Sequence, residues 1–272
     1  MKRLINQTLY LAIASLLILL SLTTGCEKDD QGEPPEIPPL SSFVIDFSYF
    51  PGEEQKKSTV PDTYHNRNKA VFHIAIWNTV ITVHMLVPTA AFIEAFNHQP
   101  QWQTDGTWKW SYSVPIGPNT YTANLFGEIS GTEVEWNMYI SKEGMGSFTD
   151  FLWYSGTSQL DGTEGTWTVN HSPADPVPYI GIEWFRSADE TWGIKYINIV
   201  PEGHENGGYI SHEITNNEPY DAIYEIYNKG KNNLVEINWN RTTKAGQIKD
   251  PSHYGNPDFH CWNEAGVDIA CP

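Results

Sequence analysis

Positive charge is scarce in this sequence. Its 272 residues hold 16 Lys and Arg against 33 Asp and Glu, a formal net charge of −17. A surface with that balance repels phosphate backbones and excludes nucleic acid as a partner. It also weighs against a face lying flat on anionic lipid. Solubility is the plain consequence of such acidity. Cysteine is scarcer still, with three in the chain. No second Cys/His pair stands at zinc spacing, so a structural zinc site has little to be built from. The leading apolar run, Leu9 to Leu22, is about 14 residues and contains Ser15 and Ser21, where a membrane-spanning helix needs roughly 20. Catalytic signatures are missing too. The stretch Tyr154-Ser155-Gly156-Thr157-Ser158-Gln159 lacks the second glycine of a nucleophile elbow. There is no His-Glu-x-x-His, no phosphate-binding glycine loop and no EF-hand spacing. Asp161-Gly162-Thr163-Glu164-Gly165 reads as a hairpin turn rather than a calcium loop.

What is present starts at the N-terminus. Met1-Lys2-Arg3 is a short basic start, the apolar run follows, and Thr23-Thr24-Gly25-Cys26 comes directly after it. This order of basic, apolar and small residues is that of a secretory signal peptide, here over residues 1–25. An ordinary cleaved signal and a single spanning helix are the alternatives. A Cys placed just after the small residues resembles the lipobox of bacterial lipoproteins. In that family the Cys is diacylated on sulfur and becomes the first residue of the mature chain, which makes Cys26 the expected lipid anchor. Cys26-Glu27-Lys28-Asp29-Asp30 resembles the surface-export signal of Bacteroidetes-type lipoproteins; a plain charged tether is the other reading. Gln31 to Pro39 has four prolines and no hydrophobic periodicity, so residues 26–41 are expected to be a semi-rigid spacer. The resemblance implies a lipid-anchored outer-membrane protein at the cell surface. Cys261 and Cys271, ten apart in an oxidising compartment, are expected to form a disulfide worth roughly 2–3 kcal/mol. A metal site using Cys261, Cys271 and His260 is the alternative.

Residues 42–272 suit one large β-rich domain with a sizeable core. Phe43 to Phe50 is a candidate opening strand, ended by Pro51-Gly52. Apolar residues at 70, 74, 77, 81 and 85 then carry helical spacing. The run is rich in β-branched residues, so a strand competes, and its length favours helix. A helical segment over about 69–98 is expected, with Asn68 as cap, an interruption at Pro88 and Thr89 capping a second short helix. Almost every face of the first helix is apolar, so it should be buried. From Trp102 onward short runs alternate aromatic or β-branched with polar residues, as in Trp108-Lys109-Trp110-Ser111-Tyr112. Nine or ten such runs, separated by Gly, Asn, Asp and Pro, predict an antiparallel meander. A meander with one apolar face needs a cover. The predicted fold is therefore mainly β: a curved antiparallel sheet or open barrel wrapped around one N-terminal helical segment. By analogy of fold alone it looks like the half-barrel lipoprotein carriers or a lipocalin-like barrel. Trp108-Lys109-Trp110, Trp153-Tyr154-Ser155-Gly156 and the ending Cys-Trp-Asn-x7-Cys-Pro resemble uncharacterised Bacteroidetes lipoproteins, a resemblance that brings no activity.

Candidate chemistry is thin. His73 and His84 lie about three helical turns and roughly 16 Å apart, too far to share a metal; interior or rim positions suit them. His204, His212, His253 and His260 fall in late loops and strands. Glu133 with Glu135, and Asp221 with Glu225, place two carboxylates at a spacing that a glycosidase can use, though an acidic β protein also places such pairs on its solvent face. Aromatic residues make up 13% of the chain, and Trp and Tyr both fill cores and line ligand pockets. The strand tryptophans are expected inside; Trp102 and Trp262, at loops or strand ends, are expected to be exposed and are the candidate ligand-binding residues. No catalytic residue, cofactor or metal is assigned. The favoured function is a non-enzymatic binding or structural module of the cell envelope, holding an apolar or glycan ligand or docking an envelope protein. A carbohydrate-active hydrolase is the alternative.

Overall fold

The alternation that begins near Trp108 folds as strand after strand. The computed structural model describes residues 32–47 and 62–272. The signal segment, Cys26 and the Cys26–Asp30 export resemblance lie outside the described residues. The compact unit spans Pro34–Pro272. After short 3-10 turns at Leu40–Ser42 and Asp62–Tyr64 come α1, His65–His84, and α2, Leu86–Ala95. The strands are β1 Gln101–Trp102, β2 Trp108–Ile116, β3 Asn119–Ser130, β4 Glu133–Lys142, β5 Phe148–Gln159, β6 Glu164–Ser172 and β7 Asp175–Arg186. They continue as β8 Trp192–Asn198, β9 Tyr209–Ile214, β10 Ala222–Asn228, β11 Asn233–Trp239 and β12 Gly246–Lys249. A one-turn α3, Pro251–Tyr254, precedes β13 His260–Trp262 and β14 Asp268–Ile269.

Among the described residues fourteen strands form one sheet in sequence order, each antiparallel to the next, and β1 does not pair with β14. The expected meander is there, mainly β and open. Ten predicted runs correspond to β2–β11. The four strands missed are β1, β12, β13 and β14, of two to four residues each, too short to show a period of two. The sheet must curve. The helical pair contacts β2 through α2 and β12–β14 through α1. Strands sit about 4.8 Å apart, so β2 and β13 on a flat sheet would be about 50 Å apart. Thirty helical residues reach at most about 45 Å, and the two helices are bent by 74° to each other. No single helix among the described residues is long and apolar enough to cross a membrane; only α1 and α2 taken together have the length and composition for it.

Much of the aromatic load has a structural cause. Trp136 lies opposite Gly127, Trp167 opposite Gly156, Trp184 opposite Gly165 and Trp262 opposite Gly246. Each indole covers the bare backbone of its partner. A β-carbon on Gly156 would stand 2.1 Å from the Thr166 carbonyl oxygen and 2.5 Å from the Trp167 ring. Glycine weakens a strand interior unless something packs into the space it leaves. These tryptophans do that, and all four are buried. The turns repeat a device as well. Asp105, Asp161 and Asp189 each accept hydrogen bonds from the backbone N–H and hydroxyl of the Thr two residues on, a local Asx turn. The Asp161-Gly162 turn is thus the expected one.

Four local expectations are corrected. Residues 48–50 of the candidate opening strand lie outside the described residues, and Phe43 to Asp46 form no strand. They cross the concave face, where Phe43 is fully buried against Phe92, Tyr154 and Trp167. The Pro-rich segment is not a free spacer throughout: Pro35 and Pro38 are buried, so the domain begins before residue 42. Asn68 caps nothing. The chain is already helical at His65, and the Asp268 carboxylate on β14 accepts from the N–H groups of His65 and Asn66, both at 3.0 Å. Nor does Thr89 start the second helix. Pro88 lacks an N–H and crowds the carbonyl four residues back. The chain therefore breaks at Met85, and Pro88 sits in the first turn of α2, where prolines are tolerated.

Candidate functional site

α1 was expected to be buried all round, and it is not. Ala70, Ile74 and Ile81 are buried, while Phe72, Ile76 and Val80 stay 56%, 44% and 40% exposed. These three recur every four residues, which puts them along one side of the helix. An open sheet packs against one stripe of a helix, so an all-round apolar helix keeps a second stripe uncovered. Between α1 and the concave ends of β7, β8, β10 and β11 lies a groove of about 620 Å³, within the size range of small-molecule sites. Phe72, Ile76 and Val80 belong to its helical wall, beside Lys69, His73 and Trp77, and Ile180, Ile226 and Val235 contribute to its floor.

One part of the groove is polar. Asp250, almost fully buried, takes hydrogen bonds from Asn233 Nδ2 at 2.9 Å and from the His253 N–H, and pairs with His73 Nε2 at 2.9 Å and Lys69 Nζ at 3.5 Å. Burial alone would raise the Asp250 carboxyl. The Asn233 and His73 hydrogen bonds and the neighbouring His73 and Lys69 charges outweigh it and hold the carboxyl below its ordinary range. Burial lowers His73, and Lys69 pushes the same way against the Asp250 hydrogen bond. A buried carboxylate with this many partners is a fixed acceptor that ties α1 to β11 and α3. It is poorly suited to shuttling protons.

The outer face carries a second concavity of about 560 Å³, whose lining includes Glu133, Glu183, Lys195, Glu213 and Glu225. Burial and the charge of Glu225 raise the Glu213 carboxyl. The carboxylate pairs expected from sequence are not assembled there as pairs: Glu133 and Glu225 line it, and Glu135 and Asp221 do not. Asp221 is held by the Arg241 side chain at 3.0 Å and the Arg241 N–H at 2.8 Å. Glu225 accepts from the Tyr209 hydroxyl.

The sulfurs of Cys261 and Cys271 are 2.10 Å apart, the disulfide pairing and not the metal alternative. His260 stacks on Tyr254 instead. Trp262 is corrected: it is 1% exposed, lies over Gly246 and donates its indole N–H to the Lys244 carbonyl. It cannot reach a ligand. Trp102, on the edge strand β1, is half-buried edge-on to Trp108, away from the groove lining. His84 is exposed beside Tyr179, as a rim residue. Sequence reasoning missed Phe72, Ile76 and Val80 as candidate site residues. The signal was there in the helix that reads as apolar on almost every face, because an open sheet covers only one of its stripes. Comparisons with protein-family models, with curated proteins and with solved structures return no match.

Proposed function

We propose that this chain is a lipid-anchored lipoprotein of the Bacteroidetes outer membrane, displayed at the cell surface, whose domain binds an apolar ligand in the groove without catalysing a reaction. The observation that carries the ligand reading is the uncovered stripe of Phe72, Ile76 and Val80, facing an aliphatic floor across a groove of ligand size. Apolar surface left open beside a preformed concavity marks a binding site. The lipoprotein reading rests on Cys26 and the residues around it. The test is to purify the full chain from membranes, extract the bound small molecules and identify them by mass spectrometry, beside an Ile76→Ser/Val80→Ser variant. An apolar compound carried by the wild type and lost from the variant supports the reading. Equal recovery from both places the compound elsewhere. The Cys26→Ser chain should lose its acyl mass and its membrane fractionation.

A further inference from the structure

At the edge of the groove two imidazoles meet. His65, in the first turn of α1, and His253, on α3, place their Nε2 atoms 2.9 Å apart, with rings inclined by 26°. Both backbones are fixed. The His65 N–H is held by Asp268, and the His253 N–H by Asp250. Tyr254 stands edge-on to both rings. The side chains are solvent-accessible. A neutral pair in this arrangement shares one N–H between two nitrogens. Burial, Lys69 and His65 lower His253 and favour its neutral form.

We infer that His65 and His253 are a two-imidazole site for a divalent transition metal, Cu(II) before Ni(II) and Zn(II). Imidazole nitrogens bind such metals at about 2.0–2.1 Å, so two of them at a right angle about the metal are about 2.9 Å apart, and about 3.3 Å apart at a tetrahedral angle. The observed separation therefore matches neighbouring positions of a square-planar or tetragonal ion, the geometry of Cu(II) and Ni(II). The donor imidazole moves its proton to Nδ1, so two neutral rings supply both lone pairs. Among the described residues no group of three or more His, Cys, Asp or Glu could hold a metal, so water or a ligand fills the remaining positions. His253 also lines the groove, which puts the ion at its edge and bridges α1 to α3. This site stands independently of the ligand reading.

The experiment is titration of the full chain with CuSO4, NiCl2, ZnCl2 and MgCl2 by calorimetry, with electron paramagnetic resonance of the copper form. The expected result is one Cu(II) per chain with hyperfine structure from two nitrogens, weaker Ni(II) and Zn(II), and no Mg(II). His65→Ala and His253→Ala should each weaken Cu(II) at least tenfold, with circular dichroism unchanged. His204→Ala, at an exposed histidine elsewhere, should leave it as in the wild type. Copper binding that survives either single substitution, or the absence of saturable binding, overturns the site.

Discussion

The concave face has two differently used ends. At one, the chain itself fills the space. Phe43 stacks on Phe92 and meets Tyr154 and Trp167, while the Tyr196 hydroxyl holds the Phe43 carbonyl. Small residues let α2 come close: Ala91 and Ala95 are buried, and the Tyr112 hydroxyl bonds the Ala91 carbonyl at 2.7 Å. Farther along, Phe47 stacks on Tyr224, next to His212 and Trp239. At the other end the same strands β8, β10 and β11 offer Tyr196, Ile226 and Val235 to the groove. There α1 brings Phe72, Ile76 and Val80 rather than alanines, and they remain open. One sheet thus carries a core and a site, and the difference lies in what covers it.

The packed end should suffer most from being emptied. Phe43→Ala removes a fully buried ring, and the rigid rings of Phe92, Tyr154 and Trp167 against it cannot collapse into the gap. The expected loss is about 3–5 kcal/mol, read as a fall in the urea midpoint. Gly156→Ala attacks the same end from the backbone. Its new methyl would meet the Thr166 carbonyl and the Trp167 ring, and overpacking of this kind costs about 1–3 kcal/mol.

Acid should separate the ends next. His212 is fully buried, with Nδ1 donating to the Ile223 carbonyl. Burial lowers its pKa from the ordinary 6.5 to about 4, against the pull of that hydrogen bond. Between those values the unfolded chain binds the proton and the folded chain does not. Stability is therefore full above pH 6.5 and falls as the pH drops toward 4, by about 3 kcal/mol in all. Urea midpoints at pH 7 and 4.5 should differ accordingly. In His212→Phe most of that difference should vanish; if it does not, another group carries the acid sensitivity.

The strands were legible in the sequence because a half-buried strand must alternate. Trp108, Trp110, Tyr112 and Val114 do so, with their polar neighbours facing out. The helical segment was legible from its spacing. What the sequence hid is whatever depends on distant residues. Asp268 caps a helix 203 positions away, and no local pattern marks it. Trp262 looked terminal and exposed, yet Gly246 on β12 receives it. Phe43 sits in a run that reads as a strand and instead crosses the inner face. Asp250 and His253 enter the site only because α3 follows β12 onto α1. Composition offered Trp102 and Trp262 as ligand surface, but Trp262 is one of four buried indoles, half of those buried, that cover a glycine on the neighbouring strand.

Asp268 also offers a milder test of how the open end is built. Its carboxylate satisfies two N–H groups at the positive end of α1, a position where anionic caps stabilise. Asp268→Ala should cost about 1 kcal/mol. Because the Cys261–Cys271 disulfide still ties β13 to the tail just beyond β14, the loss should fall on α1. Amide hydrogen exchange should quicken in the first turn of α1 and stay unchanged in α2. Equal quickening in both helices would mean that they move as one body and that the two ends are not separable.

The smallest expected effect on stability is also the most informative. Ile76→Ser removes apolar surface that the fold already leaves 44% exposed. Its contribution to folding is correspondingly small, and the midpoint should shift by about 0.5 kcal/mol or less. Binding should respond differently. A ligand lying along the helical wall buries the 44% of Ile76 that is still exposed, and since full burial of such a side chain contributes about 1.5–3 kcal/mol, this part is worth about 1 kcal/mol. An environment-sensitive apolar dye titrated into the full chain should therefore bind about fivefold more weakly to Ile76→Ser, with the urea curve almost unmoved. A matched loss of stability and binding would assign Ile76 to the core. Unchanged dye binding would leave the exposed stripe of α1 to some other partner.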